Sequence, residues 1–250
     1  CIPFAHKDWG IFFLSLPRDP EYVDAFGYRL TGFAKDLFLS LLDRHYACHT
    51  LDEIISWFTE LKTRYELTVE QMPLDQLRRW EITDREIRHE TGRYFSVIAV
   101  AVEAGSREVV SWTQPLLEHK GYGIAGFLTQ KRNGTLHFLV QASLEPGNLD
   151  LIEMGPTVSC SNPAREGIPY LDLFRDPDPD HVRYSVVQSE EGGRFYHFQT
   201  RYMILEVPET MSLDVPENFI WMTLGQIIDF TKYSYFNIEA RNLLSCLSLI

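Results

Sequence analysis

Basic charge is scarce in this chain. Its 23 lysines and arginines face 35 aspartates and glutamates, a formal net charge of −12 over 250 residues. A nucleic-acid binder needs a basic footprint for phosphates, so that class of partner is not expected. Cysteine is also sparse. Cys1, Cys48, Cys160 and Cys246 are widely scattered, with no CxxC pair and no His/Cys cluster of zinc-like spacing. Reduced thiols of a cytoplasmic protein and no bound metal are the reading. Long apolar runs are missing too: no window holds the ~20 consecutive apolar residues of a membrane span. There is no positively charged start followed by an apolar stretch, so neither a secretory signal nor a membrane partner is expected. No GxGxxG follows a strand and no GxxxxGK[ST] is present, which argues against a dinucleotide cofactor and a P-loop. Internal repeats and low-complexity segments are absent.

What is there suits a packed, soluble fold. Hydrophobic residues make up 45% of the chain and aromatics 13%, the latter high for a globular protein. Residues 1–48 form an aromatic-rich N-terminal extension that ends in a helix. Leu30, Phe33, Ala34, Leu37, Phe38, Leu41 and Leu42 recur at amphipathic spacing. That stripe faces either a core or a second subunit. Residues 49–250 read as one α+β domain. Thr50 with Glu53 is a capping-box signature, followed by the helical positions Ile54, Ile55, Phe58 and Leu61. The nearly continuous apolar run 94–102 suits a buried central strand. Strands at 126–129 and 136–142 flank Arg132-Asn133-Gly134, and Asn-Gly is a strong hairpin signal. Further strands are expected at 182–188, 194–198 and 201–207, with Gly192-Gly193 as a second hairpin turn. Two helices close the chain: one capped by Thr223 with Gln226, the other, 238–248, capped by Asn237. Strands and helices do not alternate, so a doubly wound parallel sheet is not expected.

Several polar clusters could carry chemistry. On the strand 136–142, His137, Leu139 and Gln141 share one face, opposite Leu136, Phe138, Val140 and Ala142. The second set is core; the first is either a pocket wall or a hydrogen-bonded structural face. Glu145-Pro146-Gly147-Asn148 is a Pro-Gly turn at the end of that strand, where loop residues often carry function. Residues 188–207 hold two acids, two glycines and Arg194, Tyr196, His197, Arg201 and Tyr202. Arginine forks suit phosphate, because they bind it in a bidentate way; a solvated hairpin face is the alternative. On the last helix Asn237, Arg241, Ser245 and Ser248 form a polar stripe, with Arg241 a candidate anion contact. Glu190-Glu191-Gly192 has a superficial likeness to the acidic helix of Nudix hydrolases. Strand-like residues follow Gly193, however, so no Nudix box and no Nudix metal site are expected.

Taken in order, several segments resemble the NDP-hexose 2,3-dehydratases of deoxysugar biosynthesis. They are Ser111-Trp112-Thr113-Gln114-Pro115-Leu116-Leu117, the strand 136–142 with residues 145–148, Gly155-Pro156-Thr157-Val158, residues 188–197 with Arg201-Tyr202, residues 221–226, and Asn237-Ile238-Glu239-Ala240-Arg241. The likeness covers residues 50–248. It implies a mixed or antiparallel Nudix-like sheet flanked by helices and lacking the Nudix box. Family members have two such tandem modules; this chain resembles one, closest to the second, which implies a homodimer. It also departs at Ser143, where the first module carries Lys.

The resemblance implies a lyase that eliminates the C2 hydroxyl of a nucleoside-diphosphate 4-keto-6-deoxyhexose, usually thymidine-linked, without a redox cofactor. The diketo product would pass to an NAD(P)H-dependent 3-ketoreductase. Such chemistry needs a base, an oxyanion donor, a proton donor and cations for the diphosphate. Glu145, Glu190, Glu191 and His197 are the acid and base candidates, and Tyr196 and Tyr202 the donors. Arg194, Arg201 and Arg241 are candidates for the diphosphate, and Trp112 for stacking on the base. His137, Gln141, Asn148, Thr157, Gln188, Ser189 and Asn237 complete the implied substrate set. The competing expectation is a non-catalytic module that binds a nucleotide sugar or pairs with another subunit.

Overall fold

The computed structural model describes residues 30–42 and 45–247. The aromatic segment 1–29, including Cys1, and Ser248 of the last helix lie outside the described residues.

The centre is a seven-stranded mixed sheet. Its path runs β12 (Phe219–Thr223), β6 (Thr135–Ser143), β5 (Gly123–Arg132), β11 (Gln199–Val207), β9 (Val182–Ser189); β7 (Glu153–Gly155) pairs with β6 and β8 (Val158–Cys160) with β5. β5 and β6 form the expected hairpin. Arg132 pairs with Thr135, and the two residues between have positive φ, 52° at Asn133 and 79° at Gly134. That is the turn geometry Asn-Gly favours. β11 runs parallel to β5 and antiparallel to β9.

Both faces of the sheet's centre are covered, so β5, β6, β11 and β12 are largely buried on both sides, whereas the edge strand β9 is mostly exposed. On one face Phe127, Phe138, Val140 and Ile204 pack against four helices. These are α1 (Gly32–Leu42), α2 (Leu51–Arg64), α4 (Leu224–Thr231) and α5 (Ile238–Cys246). On the other, Leu128, Leu139, Met203 and Trp221 pack against Leu171 and Phe174 of the short helix α3 (Leu171–Arg175). The His137 face of β6 is therefore also interior.

The local signals of the helices appear as expected. Thr50 and Glu53 close a capping box on α2, and Thr223 and Gln226 close one on α4. Ile54, Phe58 and Leu61 are buried, whereas Ile55 points outward. The α1 stripe is core: Leu37 and Phe38 are buried, each worth roughly 1.5–3 kcal/mol of apolar burial. The buried Ser40 hydroxyl donates to Leu136 O and accepts from Leu224 N–H at 2.8 Å, tying α1 to β6 and α4.

A second, five-stranded sheet has the order β1 (Trp80–Ile82), β2 (Glu86–His89), β3 (Ser96–Glu103), β4 (Ser111–Glu118), β10 (Phe195–Tyr196). Here two expectations fail. The run 94–102 becomes β3, but none of its residues is buried: Ala99 and Ala101 are exposed and Tyr94 is 57% exposed. One face of this small sheet has no layer of the described chain over it. Gly192-Gly193 is also not the turn of a hairpin between 182–188 and 194–198. β9 pairs instead with β11, and residues 190–198 leave the large sheet. They lend only Phe195 and Tyr196 to the small one, parallel to β4.

Candidate active site

The 190–198 excursion is fastened at several points. Glu190 N–H bonds Phe198 O at 2.9 Å, which closes the loop where it leaves the large sheet. Arg194 N–H and Phe195 N–H both reach Glu191 O, at 3.0 and 2.9 Å, and form the turn. Leu117 N–H donates to Arg194 O at 2.8 Å. The Gln114 amide donates to Gly193 O at 2.9 Å and accepts the Trp112 indole N–H at 2.7 Å. The β4 segment thus holds the loop in place. His197 takes φ 54°, a backbone region that a residue with a side chain seldom occupies.

Two clefts open beside this loop and share Ser189 and Glu190. The first, about 530 Å³, has Val100, Val102 and Leu116 on its small-sheet side and Phe195, Tyr196, His197 and Phe198 on its loop side. The Tyr196 and His197 rings stack at 4.3 Å. The second, about 330 Å³, is lined by Gln188, Ser189, Glu190 and Tyr202 with Asn242, Ser245 and Cys246 of α5.

At their common wall stands a directed hydrogen-bond chain. The Asn242 amide donates to Tyr202 Oη at 3.1 Å, and the Tyr202 hydroxyl donates to Glu190 Oε1 at 2.9 Å. Burial foremost, and the carboxylates of Glu190 and Glu239 after it, push the Tyr202 phenol well above its ordinary range, while Asn242 acts in the opposite direction. Burial also raises the Glu239 carboxyl, reinforced by the charges of Glu190, Glu145 and Glu153. Tyr202 and Glu239 therefore hold their protons more tightly than exposed groups of their kind. Beside them, burial and a hydrogen bond to Cys246 push the Tyr184 phenol up to about 12. Environments that shift neighbouring titratable groups suit acid–base chemistry.

Glu190, Tyr202, Gln188 and Ser189 are thus brought together, with Tyr196 and His197 next door. Glu239 and Asn242 were not singled out from the sequence. With Cys246 they follow i, i+3, i+7 spacing on one face of α5, a weaker pattern than the polar stripe of Asn237, Arg241 and Ser245 beside it.

Other expected site residues do different work. His137 is fully buried; its Nδ1 bonds Thr135 O at 2.8 Å and its Nε2 accepts Cys48 N–H at 3.1 Å. The strand histidine is held in hydrogen bonds inside the protein because the face it occupies is covered. Thr157 is buried, donates to Leu139 O and accepts Leu128 N–H at 2.8 Å, bracing β5 against β6. Asn237 caps α5 by accepting Ala240 N–H at 3.0 Å. Trp112 is committed to Gln114 and lies outside both clefts, as does Gln141 on β6. Glu145 and Asn148 form the turn after β6, bonded N–H to C=O at 3.1 Å.

The arginines do not converge. Strand alternation puts Arg201 on the opposite face from Tyr202, and its guanidinium lies 5.1 Å from the Tyr122 ring centroid. Arg241 donates to Asn237 O at 3.3 Å on the outer side of α5. Arg194 is not among the residues lining either cleft; its guanidinium lies 5.6 Å from the ring centroid of Phe195, which does line the first, and its fork is held by Glu191 at 2.6 and 2.9 Å. Among the described residues no group of three His, Cys, Asp or Glu side chains is arranged to hold a metal ion.

Fold and site together describe an α+β protein with a hydrogen-bonded tyrosine–carboxylate pair beside an aromatic cleft. Residues 51–247 match the family model for NDP-hexose 2,3-dehydratase, and the chain belongs to that family. It is 43% identical over 205 residues to a dTDP-4-dehydro-6-deoxy-alpha-D-glucopyranose 2,3-dehydratase of Saccharopolyspora spinosa, over 79% of this chain and 42% of that protein. A protein of the same description from Amycolatopsis orientalis is 40% identical over 203 residues, covering 78% of this chain and 43% of its own length. The chain spans about half the length of the curated relatives it matches. Among solved structures, an ADP compounds hydrolase aligns with TM-score 0.41 and 15% identity over 71% of this chain and 93% of its own. A Nudix hydrolase from M. smegmatis, RenU, aligns at 0.33 and 16% identity over 60% and 92%. At these scores the fold rests on its own description above.

Proposed function

We propose that this chain is the catalytic part of a lyase that removes the C2 hydroxyl of a TDP-linked 4-keto-6-deoxyhexose. The observation that carries the reading is the Asn242–Tyr202–Glu190 chain at the wall between two clefts. The C4 ketone acidifies the C3 hydrogen. Glu190, which lines both clefts, takes that proton. The electron pair moves to O4, where the hydroxyl of Tyr196 in the first cleft stabilises the enolate, while the Tyr202 hydroxyl stays hydrogen-bonded to Glu190 and orients it. The C2–O bond then breaks, and the hydroxyl leaves as water with the proton that Glu190 took from C3. Tautomerisation of the enol gives the 3,4-diketo-2,6-dideoxy sugar, so substrate equals product plus one water.

The diphosphate is assigned to Arg194. Its pair with Glu191 is largely exposed, and such pairs contribute little. Exchanging Glu191 for a diphosphate therefore costs little, and the aromatic first cleft remains for the base. No redox cofactor or metal is required by this chemistry.

The assay is incubation with TDP-4-keto-6-deoxyglucose, a trapping 3-ketoreductase and NADPH. Trapped 2-deoxy sugar supports the reading, and unchanged substrate with folded protein overturns it. A second reading, a nucleotide-sugar-binding module without turnover, is favoured by Ser143, which stands where the family's first module carries Lys. Calorimetry with TDP separates the two, since binding without turnover selects the second.

The cellular setting proposed is the cytoplasm, within deoxysugar formation for antibiotics and related natural products. No described helix is long and apolar enough to cross a membrane. A 3-ketoreductase is the natural partner because the diketo product is reactive. A homodimer would cover the open face of the small sheet, where Ile82 is 52% exposed and Ala99, Ala101 and Pro115 are also exposed.

A further inference from the structure

We propose that Asn242 is a positioning residue that fixes the direction of the Tyr202 O–H bond and so makes Tyr202 and Glu190 a single proton-handling unit; this rests on the acid–base reading above. A phenol oxygen has one hydrogen to give and lone pairs to receive. An Asn amide nitrogen has only hydrogens. Where it donates to the phenol oxygen at 3.1 Å, the phenol hydrogen must point elsewhere, and the acceptor at 2.9 Å is Glu190. One amide therefore selects one rotamer of the hydroxyl. Tyr202 is 3% exposed, so bulk water has little access to compete for that choice.

The frame around Asn242 is built for this. It sits one turn into α5, whose first N–H groups are capped by Asn237. Asn237 N–H donates to Met154 O at 2.8 Å, and Met154 N–H donates to Tyr235 O at 2.8 Å, so β7 pins the start of the helix. Gly155 completes the fit. A Cβ there would lie 2.9 Å from the Asn237 amide nitrogen, so any larger residue would disturb the cap. Tyr202 is fixed from the other side by β11, hydrogen-bonded to both β5 and β9. The donor on the helix and the phenol on the strand are thus held by separate, rigid elements. Groups supported in this way keep the geometry that proton transfer needs.

An Asn242→Asp change keeps the shape but replaces the donating amide by an acceptor. The carboxylate would then draw the Tyr202 hydrogen away from Glu190. An Asn242→Ala change merely frees it. A packing role would survive the first substitution, whereas a directing role would not.

The test measures kcat, KM and the pH profile of N242A and N242D, each alone and on Y202F. A loss of about 10- to 100-fold in kcat with KM within about threefold is expected for both, with N242D at least as impaired and its pH profile displaced. On Y202F both changes should cost less than about threefold, because the hydrogen they direct is gone. Equal losses with and without Tyr202 would overturn the proposal, and so would a fully active N242D. The 13C resonance of the Tyr202 ring carbon bearing oxygen, assigned with Y202F, is followed in ligand-free protein. It should move in N242A and N242D, and an unmoved resonance in folded N242A also overturns the proposal. If wild type shows no turnover, the dehydratase reading fails, while this resonance still decides whether Asn242 directs the hydroxyl.

Discussion

The Tyr202 hydroxyl donates to the Glu190 carboxylate at 2.9 Å, joining the middle of β11 to the residue that follows β9. The two strands are antiparallel neighbours, yet residues 190–198 intervene between them. The contact therefore closes the base of the loop that carries Tyr196 and His197. If this pair performs the elimination, Tyr202→Phe should lower kcat by about 10²- to 10⁴-fold, the usual contribution of a positioned proton-handling group. Glu190→Gln should do the same. TDP affinity should change little in either. Steady-state kinetics with the trapping reductase and calorimetry with TDP check the two halves of this expectation.

Arg194 and Glu191 give a prediction of opposite signs. The acid occupies the guanidinium fork at 2.6 Å in the ligand-free protein. Glu191→Gln should release the fork and tighten TDP binding by a few-fold; Arg194→Ala should weaken it by about 10-fold or more, as expected for loss of a charge-assisted bidentate contact. Calorimetry at two salt concentrations checks both, since charge-based binding weakens as ionic strength rises.

The Gly126 position tests packing directly. A Cβ there would lie 2.1 Å from Cε1 of Phe174, and that ring is fully buried between β5 and α3. The ring cannot retreat without opening the second core. Gly126→Ala should therefore destabilise the fold by about 1–3 kcal/mol, the range for overpacking, seen as a lower midpoint in urea with an unchanged slope.

What was legible in the sequence was local. Asn133-Gly134 dictates a turn through its own φ angles, and each capping box joins residues three apart. The α+β class and the strand at 136–142 followed from the same short-range patterns. What was not legible depended on distant partners. Phe195 finds its strand partner at Leu117, and nothing near Phe195 announces that pairing. His137 looked like a pocket residue because the layer that buries its face includes α3, a five-residue helix too short for a periodic signal. Asn242 was hidden for a related reason: its meaning comes from Tyr202 across a sheet-to-helix gap. The site was half visible, since 188–202 stood out by composition and its helical complement did not.

His119 gives the pH dependence. Its ring lies among Phe95, Phe195 and Phe198, stacked on Phe198 at 4.3 Å, where the small sheet and the 190–198 loop meet. Burial lowers its pKa from the ordinary value of 6.5. The neutral ring is thus the form the folded state prefers, and the unfolded chain binds more protons just below pH 6.5. By linkage, stability rises with pH wherever the unfolded state binds more protons. The contribution of His119 is present above 6.5 and is lost as pH falls below that value toward the folded pKa. His49, also lowered chiefly by burial, adds a change of the same sign. Urea unfolding midpoints should therefore fall between pH 7 and pH 5. His119→Phe keeps the aromatic contacts but cannot take a proton, so its midpoint should fall less over the same range. If His119→Phe loses as much stability as wild type across that interval, the aromatic seam between the sheets is not where the protein senses acid.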